Sequence, residues 1–294
     1  MELAQGVGVA LVTPFTTTGR LDLIATQKLV EHVITGGVDY LVPLGTTGEA
    51  VTLSEEEQDV FLIEVLTNNA GKLPIFLGCG GNDTAKVVKR IFYFQERFAI
   101  QGFLCVSPYY NKPSQQGIYN HYRELSETSM LPIILYNVPP RTGSNVLPDT
   151  VLRIANDCKN IIAIKEASAN LEQAMHILKD KSTDFQVLSG DDALALPGIA
   201  CGCTGVISVV ANIVPKPFTD LIHKAMAGDF AGAREIQWQI LHLIELLFKE
   251  GNPAGIKAAL AATKICEQNL RSPLAPVSKE LFQQLDNELK RLNE

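Results

Sequence analysis

Eight short apolar runs, the first beginning at residue 7 and the last ending at residue 210, constrain the fold of this chain more than any other feature. Each run is too short for a core helix, is almost continuously apolar and is bounded by Gly, Pro or Asn. These are the properties of strands buried on both faces of a parallel sheet. The predicted strands cover residues 7–15, 40–44, 74–79, 102–107, 132–138, 161–164, 186–189 and 205–210.

Segments with helical periodicity separate the strands. Ser54 and Glu57 form a capping box, which predicts where the second of these helices begins. Regular alternation of strand and helix through eight units predicts an α/β protein whose parallel sheet closes into a (β/α)8 TIM barrel. The predicted connecting helices cover residues 23–34, 54–68, 84–98, 117–128, 148–156 and 170–178.

After the eighth strand the pattern changes to helices alone, at residues 216–227, 230–249, 253–267 and 277–292. The first of them completes the barrel, and the other three predict a C-terminal helical extension. We therefore predict a catalytic barrel domain at residues 1–228 and a C-terminal helical domain at residues 229–294. An apolar stripe at helical spacing in the second of the four helices indicates core or subunit packing.

Composition excludes several classes of function. The net charge is −7, and Lys and Arg are scattered, so neither nucleic acid nor an anionic membrane is expected as a partner. The N-terminal apolar stretch lacks a basic segment before it and is cut short by Pro14, which predicts no signal peptide or membrane span. The six cysteines, Cys201 and Cys203 included, are expected to be buried free thiols, for which a reducing cytoplasm is the natural setting.

Metal catalysis has no support in the sequence. The five histidines all fall in helical segments away from the strand ends, and none forms a ligand pair. The sequence has no G-x-S-x-G elbow and no Cys/His pair at the strand ends, so it does not indicate hydrolytic acyl transfer. We therefore expect neither a metal nor another cofactor.

Lys165 is the first candidate for chemistry, because it follows the apolar strand 161–164. Barrel active sites lie at the C-terminal ends of the strands. A desolvated amine is easier to deprotonate, and the neutral amine is the form that attacks a carbonyl to give a Schiff base. A solvated or ion-paired structural lysine is the alternative. Glu166 is expected to be its structural neighbour, turned to the other face of the strand.

Further polar groups lie at the ends of other strands or directly after them. Residues 45–49 (GTTGE) offer two hydroxyls and backbone N–H groups ahead of a helix, which suits a small carboxylate. Tyr136 and Tyr110 supply phenols for proton transfer, with plain packing as the alternative. Arg141 has a planar fork suited to a carboxylate, although a surface arginine would look the same. Residues 78–82 resemble a dinucleotide loop but lack its third glycine and predict a turn.

Five motifs, read together, resemble the dihydrodipicolinate synthase family, within the superfamily of class I aldolases that includes N-acetylneuraminate lyase. The resemblance extends in order and spacing from about Gly6 to Asn212, and the C-terminal helices are also as expected for the family. The motifs are residues 45–49 (GTTGE), 108–113 (PYYNKP), 136–143 (YNVPPRTG), 164–167 (IKEA) and 188–192 (LSGDD).

The resemblance implies a lyase of the diaminopimelate route to lysine, in which pyruvate forms a Schiff base and then adds to L-aspartate-4-semialdehyde. It also implies a homotetramer built as a dimer of dimers, with Tyr110 reaching into the neighbouring subunit's site. The implied catalytic residues are Lys165 for the imine and Thr47, Tyr136 and Tyr110 for a proton relay. The implied substrate-binding residues are Thr46 and Thr47 for the pyruvate carboxylate, Arg141 for the semialdehyde carboxylate, and the backbone of Gly190 and Ile207.

Two alternatives remain open: a sugar-acid aldolase such as N-acetylneuraminate lyase, and a non-catalytic pyruvate-binding regulator. Relatives of the first kind generally lack the Arg-Thr-Gly after the tyrosine, so Arg141 favours the synthase. A complete relay disfavours a mere binder. Ala169 departs from the family, where many members carry Gly. At the family's lysine-inhibition site, Lys86 would repel a cationic lysine, and with Glu55 it predicts weak or absent inhibition.

Overall fold

The computed structural model describes residues 4–292, and its eight strands form one sheet in the order β2-β1-β8-β7-β6-β5-β4-β3. The pairing of β1 with β2 and each pairing from β3 to β8 is parallel. The prediction of a (β/α)8 TIM barrel followed by C-terminal helices is confirmed. The strands are β1 (Gly6–Ala10), β2 (Tyr40–Val42), β3 (Phe76–Gly78), β4 (Gly102–Val106), β5 (Ile133–Asn137), β6 (Ile161–Glu166), β7 (Gln186–Ser189) and β8 (Gly205–Ser208).

Helices follow the strands as the periodicity predicts, and Ser54 and Glu57 form the expected capping box. The C-terminal α10, α11 and α12 follow α9 with no strand between them. The helices are α1 (Leu23–Thr35), α2 (Glu55–Asn69), α3 (Thr84–Arg97), α4 (Gln115–Thr128), α5 (Pro139–Thr142), α6 (Pro148–Asp157), α7 (Leu171–Asp180), α8 (Ala195–Ala200), α9 (Pro215–Met226), α10 (Phe230–Lys249), α11 (Ala254–Ala262) and α12 (Lys279–Leu292).

Several elements differ from the prediction, among them β1, α5, α8 and β6. β1 ends at Ala10 rather than Phe15, because Val12 N–H donates to the Asn212 side chain and Pro14 has no N–H to give a sheet. The helices α5 and α8 were not predicted, since each is too short to show a helical period and each contains proline. β6 runs two residues past its predicted end, to Glu166, so Lys165 lies inside a strand.

Contacts between Cα atoms group the chain into two compact units. The first comprises residues 4–6 with Pro74–Ile207, and its core is the sheet of β3 to β7 under α3, α4, α6 and α7. The second comprises Val7–Leu73 with residues 208–292, and in it α9, α11 and α12 pack on α10. In α10, Ile240, Leu243 and Leu247 of the apolar stripe are buried, whereas its first residue, Ile236, is half-buried. The predicted domain boundary at residue 228 stays a proposal.

The six cysteines are free thiols, and five of them are buried. Burial raises the pKa of Cys79 to about 11 and that of Cys203 to about 12, so both thiols stay protonated at neutral pH. Cys201 is partly exposed. Packing is therefore the role that the structure gives the five buried thiols.

Among residues 4–292, no helix is long and apolar enough to cross a lipid bilayer. The prediction that a signal peptide is absent concerns the N-terminal segment. Residues 1–3 of that segment lie outside the described residues.

His121 makes the first compact unit sensitive to acid. Its ring is 2% exposed, Nδ1 lies 2.9 Å from Thr84 Oγ1, and Nε2 has no partner among the described residues. Burial lowers the pKa of His121 from 6.5 to about 4. The unfolded chain therefore binds a proton at His121 that the folded chain does not bind. The contribution of neutral His121 to the free energy of unfolding is present above pH 6.5 and is lost as the pH falls towards 4.

We expect the free energy of unfolding of the wild type, relative to that of His121→Gln, to fall by about 2 kcal/mol between pH 7 and pH 5. Urea denaturation of both proteins at several pH values measures the difference. A difference that stays constant with pH would show that His121 titrates normally in the folded protein.

Candidate active site

Lys165 and Tyr136 lie side by side on neighbouring strands. They are register partners of β6 and β5, so their side chains leave the sheet on the same face. Lys165 is 5% exposed and Tyr136 is 7% exposed, and Lys165 Nζ lies 4.5 Å from the centre of the tyrosine ring. In the described part of the chain, Lys165 has no ion pair and no side-chain hydrogen bond. A buried amine with no carboxylate partner is available to react with a carbonyl carbon.

Glu166 is turned to the opposite face of β6, as predicted, and has a separate set of partners. Its carboxylate accepts hydrogen bonds from Ser168 N at 2.7 Å, Asn137 Nδ2 at 3.0 Å and Gln173 Nε2 at 2.9 Å. These bonds satisfy a buried charge and join the ends of β5 and β6 to α7. Glu166 thereby fixes the strand that carries Lys165 without touching the amine.

Gly190 follows β7 and packs tightly on the chain beyond Lys165. Its N–H donates to Glu166 O at 2.7 Å, and a Cβ at this position would lie 2.5 Å from Ala167 Cβ. Only glycine therefore permits this close approach of the two strand ends. Ile207 is 1% exposed within β8. Ala169 has φ +57°, the left-handed conformation that glycine adopts more readily, so the departure from the family affects this loop.

Tyr110 and Arg141 lie on the loops after β4 and β5. Tyr110 N–H donates to Thr142 O at 3.2 Å, which ties the two loops together. The Tyr110 side chain is 87% exposed, in contrast to buried Tyr136, and Arg141 is exposed within the short helix α5. The Tyr110 phenol therefore faces solvent, whereas the Tyr136 phenol is covered by the protein.

Thr46 and Thr47 lie in the tight turn after β2. The N–H groups of Gly48 and Glu49 donate to Gly45 O and Thr46 O, and Thr13 Oγ1 donates to Gly48 O at 2.7 Å. Thr46 is exposed, whereas Thr47 is 2% exposed. Asn252 Nδ2 donates to Thr47 Oγ1 at 3.0 Å. The turn predicted as a carboxylate site is thus held rigid by bonds from distant parts of the chain.

Glu49 is the last residue of this turn, and it forms a buried ion pair with Lys257 of α11. Both side chains are fully buried, and Lys257 Nζ also donates to Asn269 O at 2.8 Å and lies 4.1 Å from the centre of the Phe15 ring. Burial lowers the pKa of Lys257, and the Glu49 carboxylate acts against that shift. Arg271 N–H donates to the second carboxylate oxygen of Glu49 at 3.0 Å.

Sequence reasoning missed three of these residues: Asn252, Lys257 and the Glu166 partner Gln173. Lys257 leaves a signal, since it is a lone charge in the apolar run at residues 254–262, where burial requires a partner. Asn252 leaves none, because its bond to Thr47 joins residues 205 positions apart.

Among the described residues, no group of three or more His, Cys, Asp or Glu side chains forms a potential metal site. The five histidines lie on helices, as predicted. Lys86 is 81% exposed and lies 3.8 Å from the Asp83 carboxylate. Its predicted effect on lysine inhibition stays a prediction.

A model of the dihydrodipicolinate synthetase family matches residues 3–292. The chain belongs to this family. The 4-hydroxy-tetrahydrodipicolinate synthase of Flavobacterium psychrophilum is 43% identical over 293 residues and covers 100% of both chains. Membership therefore rests on the entire length of the sequence and not on the motifs alone.

Solved structures agree with this assignment. The crystal structure of dihydrodipicolinate synthase from Thermotoga maritima has a TM-score of 0.96 and 40% identity, and covers 99% of each chain. Chloride-inhibited dihydrodipicolinate synthase from Acinetobacter baumannii, complexed with pyruvate, has a TM-score of 0.95 and 37% identity, and covers 98% of this chain and 99% of that one. The chain therefore has the fold of the solved members of its family.

Proposed function

We propose that this protein is a 4-hydroxy-tetrahydrodipicolinate synthase, a lyase that condenses pyruvate with L-aspartate-4-semialdehyde in lysine and diaminopimelate biosynthesis. The observation that carries the proposal is Lys165, a buried amine beside Tyr136 that has no ion pair within residues 4–292, in a chain 43% identical to a relative of that name. The structure of a relative complexed with pyruvate supports the first substrate.

In the proposed reaction, Lys165 Nζ attacks C2 of pyruvate, and loss of water gives the imine. Removal of a proton from C3 converts the imine to an enamine, whose C3 attacks the aldehyde carbon of the semialdehyde. The amine of the semialdehyde then attacks C2, releases Lys165 and closes the ring. One water leaves in total, and the covalent imine takes the place of a cofactor.

The roles of the other residues follow the family resemblance. Thr47, Tyr136 and Tyr110 relay the protons, and Thr46 and Thr47 bind the pyruvate carboxylate. Arg141 binds the semialdehyde carboxylate, and the backbone of Gly190 and Ile207 lines the substrate site. Exposure of Arg141 supports a role in capturing a substrate from solution.

A homotetramer built as a dimer of dimers belongs to the same proposal. The support in this chain is Tyr110, whose phenol is 87% exposed although the proposed relay requires it to be shielded. A neighbouring subunit that receives Tyr110 would supply that shielding. A cytoplasmic location agrees with substrates that are small metabolites.

The experiment is an assay that supplies pyruvate and L-aspartate-4-semialdehyde together and couples the product to NADPH oxidation by the next reductase. We expect oxidation that depends on both substrates. If borohydride traps pyruvate on Lys165 but no oxidation occurs, the protein is a Schiff-base aldolase for another second substrate, such as the sugar acid of N-acetylneuraminate lyase. Absence of trapping would leave a binding role instead.

A further inference from the structure

Two polar contacts tie the turn that carries Thr47 to the start of α11. Lys257 pairs with Glu49 at one end of the turn. Two residues before Glu49, Thr47 Oγ1 accepts a hydrogen bond from Asn252 Nδ2 at 3.0 Å. Asn252 and Lys257 lie on the C-terminal part of the chain, which supplies none of the residues named in the reaction so far. These contacts give that part of the chain a direct connection to the proposed proton relay.

The Asn252 bond decides what the Thr47 hydroxyl can do. A threonine hydroxyl has one proton to donate and two lone pairs to accept with. Since the Asn252 amide donates to Thr47 Oγ1, one lone pair is occupied and the hydroxyl proton is directed away from Asn252. Thr47 is only 2% exposed, so bulk water does not compete for the hydroxyl.

Asn252 is itself held in place. It lies immediately before Pro253 and α11, and α11 packs against α10 so closely that a Cβ on Gly255 would lie 2.0 Å from Leu247 O. The Lys257 and Glu49 pair fixes the same helix to the turn. The amide therefore meets the hydroxyl from a rigid base, and rigid support is what keeps a reacting group in its productive orientation.

We propose that Asn252 is a positioning residue, which acts on the reaction by orienting the Thr47 hydroxyl so that its proton is available to the relay. The inference rests on the proposed function. Without the amide, the hydroxyl is free to turn towards nearby backbone carbonyls, as threonine hydroxyls commonly do, and the relay loses a correctly aimed donor.

A double-mutant cycle with Thr47→Val tests this role, because Thr47→Val removes the hydroxyl and keeps the shape of the side chain. If Asn252 acts only through that hydroxyl, Asn252→Ala lowers kcat about tenfold in the wild type and less than about twofold in the Thr47→Val background. The KM for pyruvate is expected to change much less than kcat. Equal losses of kcat in both backgrounds would overturn the proposal, because a general structural role is additive.

Two further variants keep the test decisive. Asn252→Asp removes the donor with almost no change of shape, so it repeats the cycle if Asn252→Ala does not fold. Asn269→Ala is the matched control, since it removes another amide of the C-terminal part, one that donates to Phe15 O at 3.3 Å and not to a hydroxyl. We expect Asn269→Ala to keep the wild-type kcat, and a loss equal to that of Asn252→Ala would contradict the inference.

The same cycle is read on pyruvate alone, from the exchange of its methyl protons with deuterated water by NMR, which reports enamine formation. If the wild type performs the two-substrate condensation and the cycle is additive, only the inference fails. If the wild type neither condenses the two substrates nor exchanges the methyl protons, the proposed function fails and the role of Asn252 fails with it.

Discussion

Lys165→Ala is expected to abolish trapping of pyruvate by borohydride and to lower the rate of condensation by on the order of 10⁴-fold or more. The covalent route begins with this amine, and alanine offers no nucleophile in its place. The fold is expected to survive, because Lys165 has no ion pair in the described part of the chain and its removal leaves no buried carboxylate unpaired. Mass spectrometry of the borohydride-treated protein locates the label, and thermal unfolding checks the fold.

Lys216→Ala is the control for this variant. Lys216 Nζ lies 2.5 Å from the Asp220 carboxylate, and the side chain is 67% exposed, so it is a lysine of the ordinary surface kind. We expect Lys216→Ala to trap pyruvate as the wild type does. A label found on any lysine other than Lys165, or trapping retained in Lys165→Ala, would contradict the assignment.

The strands and the candidate lysine could be predicted because both depend on local composition. A strand buried on both faces must be apolar along its length, so a charged residue directly after residues 161–164 stands out. The motif residues at the ends of β2, β4 and β5 could be predicted for a second reason. A barrel brings the C-terminal ends of its strands to one face, so polar residues there are candidates for a site. The exposure of Tyr110 and the burial of Tyr136 could not be predicted from local composition, because each tyrosine lies near the C-terminal end of an apolar strand.

What the sequence did not reveal depends on contacts across long separations. The Asn252 amide meets Thr47 across 205 positions, and Lys257 meets Glu49 across 208. No local pattern identifies such a pair. The early end of β1 has a similar cause, because the amide of Val12 bonds to Asn212 across 200 positions instead of extending the strand.

Lys257→Met is expected to lower the free energy of unfolding by about 3–5 kcal/mol. Methionine fills much of the space, but it leaves the fully buried Glu49 carboxylate without its cation. An unpaired buried charge costs more than the lost attraction, since the carboxylate has already given up its water. Arg271 N–H still donates to Glu49 at 3.0 Å, but one neutral hydrogen bond does not replace an ammonium. Urea denaturation at fixed protein concentration measures the loss.

The double variant Glu49→Gln, Lys257→Met separates the cost of the orphaned charge from the value of the pair. Replacing both partners removes the buried charge, so most of the lost stability is expected to return. The surface pair of Lys290 and Asp286 gives the matched control, since Lys290 is 68% exposed and Lys290→Met is expected to cost less than about 1 kcal/mol. If the double variant is as unstable as Lys257→Met, the loss comes from packing around α11. The lysine would then stabilise the Thr47 turn by its shape and not by its charge.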